Sequence, residues 1–281
     1  MPAFSGSIET DMITIELEHF DLEQICNSGQ CFRMKKISEN RYAVHAADKY
    51  LEIEQEKTLV TFHCEETDFL FFWISYFDLD ADYGRYIKTI NPRDQYLNRA
   101  AETGNGIRIL RQDLWEMIVS FLISQQNNIV RIRRCIENIC TRFGEEKTAW
   151  DGRTYYAFPT PEALAMASEE ELRDCNLGYR AKYVAGTARA VAAGEISLEE
   201  ISTMRYKKAR EQLLTLYGVG EKVADCICLF ALHHLEAFPI DTHIRQALDA
   251  HYKRGFPNRR YKGMQGVMQQ YIFYYELAQK K

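Results

Sequence analysis

The chain has 281 residues, 46% of them hydrophobic and 12% aromatic, enough apolar material for two domains or one large one. Six prolines and no low-complexity tract exclude a disordered chain. The net charge of −5 argues at first against a nucleic-acid partner, but residues 1–90 hold 8 Lys and Arg against 17 Asp and Glu, and the remainder 27 against 23. Basic clusters stand at 131–134 (RIRR), 205–210 (RYKKAR) and 251–262 (HYKRGFPNRRYK). The field of a charge fades within about 10 Å at ordinary salt, so clusters rather than totals decide phosphate binding, although any one of them also reads as a solvated helix face.

In chain order, the N-terminal MPAFSGSIETDMITIELEHF carries acidic residues and no apolar h-region, so no signal peptide is expected there. The longest apolar stretches, such as FLFFWISYF, fall well short of the roughly 20 residues that span a bilayer, and a soluble, intracellular protein is expected. The first ninety residues read as strands: MITIELEHF alternates, and RYAVHAADKYLEIEQEKTLVTFHC holds three short β-rich runs. From about residue 94 the texture becomes helical. DLWEMIVSFLISQQ sets Leu114, Ile118, Phe121 and Leu122 on one stripe, and NIVRIRRCIENICTRF repeats it with Ile129, Ile132, Ile136 and Cys140. Thr160-Pro161 signals a helix start, SEEE at 168–171 and SLEE at 197–200 read as capping boxes, and Gly144 and Gly194 close helices. The fold class is therefore α+β: an N-terminal antiparallel β domain over residues 1–95, then a mainly helical domain over 96–281. The eight cysteines are scattered; Cys140, Cys226 and Cys228 lie in apolar helical patterns as free thiols, and the Cys226-Ile227-Cys228 spacing does not suit a zinc knuckle.

YKKAREQLLTL reads as a helix with Ala209, Leu213 and Leu216 inward, YGVG as a turn, and EKVADCICLFAL as a second helix burying Val223, Ile227 and Phe230. This is a helix–hairpin–helix at about residues 206–233. Gly218 and Gly220 permit positive φ and close backbone approach, and the turn of Gly218, Val219 and Gly220 feeds a helix N-terminus that can hold a phosphate. Lys222 falls in the first turn, where a cation opposes the helix dipole by about a few tenths of a kcal/mol, which favours the free amine a nucleophile needs. Further on, FPIDTHIRQAL makes Asp241 a natural N-cap; capping alone explains it as well as catalysis does.

LYGVGEKVADCICLFAL followed by FPIDTHI closely resembles the hairpin and aspartate of the helix–hairpin–helix base-excision glycosylases, and more narrowly their 8-oxoguanine glycosylase family. NSGQCFR (27–33), GIRILRQD (106–113), FLISQQNNIVRI (121–132) and LGYRAKYV (177–184) extend the resemblance in the family's order over nearly the whole chain. It implies an N-terminal β domain and two helical subdomains, with duplex DNA containing oxidised guanine as partner and the damaged base flipped into a pocket. It implies a bifunctional glycosylase and AP lyase: Lys222 attacks C1′ to form a Schiff base that undergoes β-elimination, and Asp241 stabilises the developing positive charge. The lysine separates the chain from monofunctional relatives.

The resemblance also implies that the Gly29 carbonyl accepts the N7–H that marks 8-oxoguanine, that Phe32 lies nearby, that Cys226 and Phe273 sandwich the base, and that Gln269 reads its Watson–Crick edge, with Gln270 competing for that role. Without it, Cys226 and Phe273 are ordinary core residues. Gln126, Asn127 and Asn128 belong to the strand-opening loop, Tyr179 to the wedge, Arg180 and Arg131 to the readers of the orphaned cytosine, and His243 to the phosphate contacts. The bland readings are a charged helix face for Arg131 and a structural histidine for His243. Gln126 stands where the animal enzymes have asparagine, and Tyr217 where proline usually precedes the glycine. No cofactor is implied and no catalytic metal; no cysteine follows Cys228 to complete an iron–sulfur quartet. A structural cation on the backbone carbonyls of Leu214, Leu216 and Val219 is a family feature. A monomer in a prokaryotic cytoplasm, associated with DNA, is expected. The alternatives are a relative acting on another lesion and a non-catalytic DNA clamp.

Overall fold

The computed structural model describes residues 12–149 and 152–279; the first eleven residues of the stretch read against a signal peptide lie outside it. Five strands form one antiparallel sheet: β1 (Met12–Glu16), β2 (Met34–Lys36), β3 (Arg41–Ala46), β4 (Lys49–Glu56) and β5 (Leu59–His63), in the order β1-β5-β4-β3-β2. The two tight turns, 47–48 and 57–58, each begin with a residue at positive φ (Ala47 52°, Lys57 56°). One face of the sheet buries Val44, Leu51, Ile53 and Phe62 against α1 (Leu22–Asn27) and against a helical segment at 66–76, here α2.

That last segment departs from the strand reading of the first ninety residues, as does α3 (Tyr83–Lys88). Helical spacing carries Phe69, Trp73 and Phe77 into the core and leaves Phe71 84% exposed, with a π-helical turn over Phe69–Trp73. A run so dense in aromatics has high strand propensity and no clean alternation, so its pattern does not separate the two conformations.

The helical part continues with α4 (Gln95–Thr103), α5 (Leu114–Ser124) and α6 (Ile129–Phe143), then the hairpin strands β6 (Glu146–Thr148) and β7 (Thr154–Tyr156). It ends with α7 (Pro161–Met166), α8 (Glu169–Leu172), α9 (Ala181–Ala192), α10 (Leu198–Thr203), α11 (Tyr206–Leu213), α12 (Glu221–Phe230), α13 (Thr242–His251) and α14 (Gln265–Ala278). The capping signals hold at Thr160 and in the reciprocal Ser168–Glu171 box; at Ser197 only the serine half forms, accepting from Glu200 N–H at 3.1 Å. α6 buries Ile132, Ile136 and Cys140 as its stripe requires, whereas α5 is buried from Trp115 through Ile123, because α6, α9, α10 and α12 all pack on it. α5 is a central helix and not an amphipathic one. All eight cysteines are free and buried. Among the described residues no helix is long and apolar enough to cross a membrane.

The sheet and the helices are keyed together where NSGQCFR meets GIRILRQD. Gln30, fully buried, donates to Arg108 O (2.9 Å), accepts from Leu110 N–H (2.8 Å), and lends its own carbonyl to Gln112 (2.8 Å). Phe32 then enters the helical core edge-on to Phe121, ring centroids 5.7 Å apart, while Leu110 enters the sheet core. The Arg33 guanidinium, also buried, pairs with Glu116 of α5 (3.4 Å) and donates to the carbonyls of Ala47 and Tyr156. This polar seam fixes the loop that carries Gly29.

Candidate active site

α11 ends in the turn Leu214–Gly220, closed by Val219 N–H to Leu216 O at 3.0 Å. Gly218 has φ +90°, and a Cβ there would lie 2.5 Å from Tyr183 Cγ, so conformation and space both demand glycine. Gly220 differs from the expectation of positive φ: it sits at −95°, and a Cβ would meet nothing within 4 Å. The close approach it permits is toward whatever lies outside the protein. Gly220 is also the N-cap of α12, and no side chain caps it, so the first-turn N–H groups are left for an external acceptor.

Lys222 follows, half-buried, its Nζ 5.3 Å from the centre of the Phe121 ring. Asp241 heads α13 as its N-cap, Oδ1 accepting from Ile244 N–H at 2.8 Å, which realises the capping role. Both side chains border one cavity, which is also lined by Gly29, Cys226, Gln269 and Phe273. The sequence-derived catalytic pair and pocket residues therefore converge, apart from Phe32, which borders the wider cleft outside. Gly29 has φ +74°, and a Cβ on it would come within 2.9 Å of the Phe273 ring. Burial pushes the Cys226 thiol up to about 11 against the pull of the Lys222 amine, so it is a neutral, apolar wall. Phe121, Phe230 and Pro239 also line the cavity and were not anticipated; only their place in apolar runs marked them.

The larger cleft outside is lined by Gln126, Asn127, Asn128, Gly220, Lys222, Asp241 and His243. Within the loop, Asn128 is the N-cap of α6, accepting from Arg131 N–H at 2.9 Å, and Asn127 donates to Ile123 O at 3.1 Å. Gln126 is exposed at φ +47°, an uncommon backbone for a side chain larger than asparagine. Arg180 explains how it is held: Arg180 is 3% exposed and donates to the carbonyls of Gln125, Gln126 and Leu177. Arg180, the residue expected to contact the orphaned cytosine, thus clamps the strand-opening loop here: three guanidinium nitrogens make four hydrogen bonds to backbone carbonyls. Arg131 is exposed, and its Nη2 lies 3.5 Å from Asn176 O. Tyr179 is 45% exposed, its hydroxyl 3.4 Å from Gln125 O. His243 packs edge-on to Phe273, ring centres 6.2 Å apart.

Gln125 begins the strand-opening QQNN, residues 125–128, but has no individual role in the sequence reading. Its Nε2 donates to Gly218 O (3.0 Å) while its own carbonyl takes Arg180 and Tyr179, so it ties the hairpin turn to the loop and the wedge. Two of the basic clusters are partly structural: Arg133 donates to Cys26 O (2.8 Å), and Arg210 binds Asp225 (2.6 Å).

The family model for the N-terminal domain of 8-oxoguanine DNA glycosylase matches residues 12–118, and that of the HhH-GPD superfamily of base-excision DNA repair proteins matches residues 119–262. An N-glycosylase/DNA lyase of Saccharomyces cerevisiae is 32% identical over 86% of this chain and 70% of its own length, and one of Arabidopsis thaliana is 33% identical over 78% and 62%. The solved Clostridium acetobutylicum 8-oxoguanine glycosylase/lyase, in complex with double-stranded DNA containing cytosine opposite 8-oxoguanine, is 35% identical with a TM-score of 0.92, over 97% of both chains. A 3-methyladenine DNA glycosylase of Archaeoglobus fulgidus, 21% identical with a TM-score of 0.73, shares the fold.

Proposed function

This chain belongs to the 8-oxoguanine DNA glycosylase family of the HhH-GPD superfamily, and on that premise we propose that it excises 8-oxoguanine from duplex DNA and nicks the resulting strand. The observation that carries the reading is the convergence of Lys222, Asp241, Gly29, Cys226 and Phe273 on one cavity beside an uncapped helix N-terminus. The Gly218–Gly220 turn holds a backbone phosphate on N–H groups other than that of Val219, which closes the turn, with His243 alongside, and the base turns out between Cys226 and Phe273. The Gly29 carbonyl accepts the N7–H of 8-oxoguanine; guanine would leave that buried acceptor unpaired, at about 1–3 kcal/mol.

The Lys222 amine forms a bond to C1′ as the glycosidic bond breaks and its electron pair leaves with the base. Loss of the amine proton and opening of the sugar ring give an iminium; removal of a C2′ proton then expels the 3′ phosphate, and water releases Lys222. The Asp241 carboxylate, fixed by its cap bond, stabilises the positive charge that grows on the sugar. Tyr179 and the loop 125–128 hold the strands apart, and Arg131 reads the orphaned cytosine by its planar fork. The carbonyls of Leu214, Leu216 and Val219 would hold a structural cation as neutral donors only; the Leu216 carbonyl already accepts one turn bond, and among the described residues no group of three or more acidic, His or Cys side chains gathers there. The enzyme acts as a monomer, associated with DNA in a prokaryotic cytoplasm.

Borohydride trapping on a duplex with 8-oxoguanine opposite cytosine tests the reading. A covalent adduct that disappears in Lys222→Gln is expected. An adduct of undiminished yield in that variant, or faster excision of an oxidised pyrimidine, would overturn it.

A further inference from the structure

Three tyrosine rings run as a ladder from the wedge to the glycine turn. Tyr179 and Tyr183 meet edge to face with ring centres 6.0 Å apart, and Tyr183 meets Tyr217 in the same way at 5.0 Å. Tyr217 immediately precedes Gly218 and is 56% exposed, so burial contributes little to its value there. Its ring lies along α9, where a Cβ on Gly186 would stand 3.4 Å from Tyr217 Cδ1. The Lys182 ammonium, 5.2 Å from the centre of the Tyr183 ring and 5.9 Å from that of Tyr217, adds a cation–π contact to both. The wedge has little support from its own backbone: Asn176 and Gly178, just before it, both sit at positive φ, at 66° and 58°. Its ring is fixed by neighbours instead, by Arg180, whose guanidinium carbon is 4.5 Å from the ring centre, and by Tyr183. Tyr183 in turn stands against the Gly218 backbone and the Tyr217 ring.

Resting on the glycosylase reading above, we propose that Tyr217 is a positioning residue for opening the duplex: through Tyr183 it props the Tyr179 wedge and joins it to the turn that seats a backbone phosphate. Unstacking a base is uphill, and a wedge that yields under that load loses the opening. Tyr217 lines neither the base cavity nor the cleft outside it, so its influence on the reaction passes through Tyr183 and Tyr179. Its contacts are made by the ring, so phenylalanine would serve as well and alanine would not.

The experiment follows opening by stopped-flow fluorescence of 2-aminopurine placed beside 8-oxoguanine, alongside nicking of a duplex with a preformed abasic site, where no base has to be turned out. Tyr217→Ala is expected to slow opening about fivefold, the worth of one aromatic contact, while abasic-site nicking changes by less than about twofold. Tyr217→Phe should restore opening to within about twofold of the unmodified rate. Opening unchanged in Tyr217→Ala overturns the proposal, as does an equal loss in both reactions, which a general loosening of the turn would give. Failure of Tyr217→Phe to restore opening also overturns it, by assigning the effect to the hydroxyl. If the unmodified enzyme cuts neither duplex, it is the glycosylase reading that fails, and the proposal falls with it.

Discussion

Two helix N-termini face the same cavity and are built in opposite ways. α13 begins with Asp241, whose carboxylate accepts a first-turn N–H and places an anion at the positive end of the helix, a doubly favourable start. α12 begins with Gly220, has no side-chain cap, and carries the cationic Lys222 in its first turn. The first end is complete by itself, while the second is left wanting an anion. The proposed function thus assigns stability and DNA binding to neighbouring helices and places one reacting group on each.

The widest separation is expected from Lys222→Gln, which should lower single-turnover excision about a thousandfold or more while shifting stability by no more than ~0.5 kcal/mol. At the other helix, Asp241→Asn keeps a good cap and should lose about a hundredfold in rate with little change in Tm. Asp241→Ala should lose the same rate and also about 1 kcal/mol of stability, seen in denaturant melts. Equal stability of the two Asp241 variants would show that the cap contributes nothing.

The glycines sharpen the contrast further. Gly220→Ala, at an ordinary φ with open space around it, should leave stability unchanged or raise it by ~0.5 kcal/mol yet weaken DNA binding and flatten its salt dependence. Gly218→Ala should instead destabilise the fold, since it combines positive φ with the collision against Tyr183. The smallest effect concerns Cys226, one turn below Lys222. Its thiol is held up to about 11 by burial, so its contribution to stability is full below pH 9 and lost as pH rises through 11. Excision measured from pH 6 to 9 should show no thiol titration.

Much of this was legible in the residues. Thr160-Pro161, the Ser168–Glu171 box and the Asp241 cap are local signals, decided within four residues, and each formed. The glycine turn before Lys222 was legible too, although the Tyr183 ring that also demands glycine at 218 was not. What escaped was tertiary: the carbonyls of Gln125 and Gln126 that hold Arg180 meet it only in the folded chain. Gln125 bridges 93 residues to Gly218, and no local pattern records that. α14 is apolar on most sides, so periodicity could not say that Gln269 and Gln270 are both buried. The aromatic run at 69–77 failed for the reverse reason, since its composition favours a strand and its packing a helix.

The seam at Gln30 bears on accuracy. The Gly29 carbonyl, proposed above to tell a damaged base from a sound one, is the neighbour of the residue that joins sheet to helices, and the Phe273 ring stands against it. On that proposal fidelity is tied to the stiffness of a joint, and warming that loosens the seam should blur discrimination before it stops turnover.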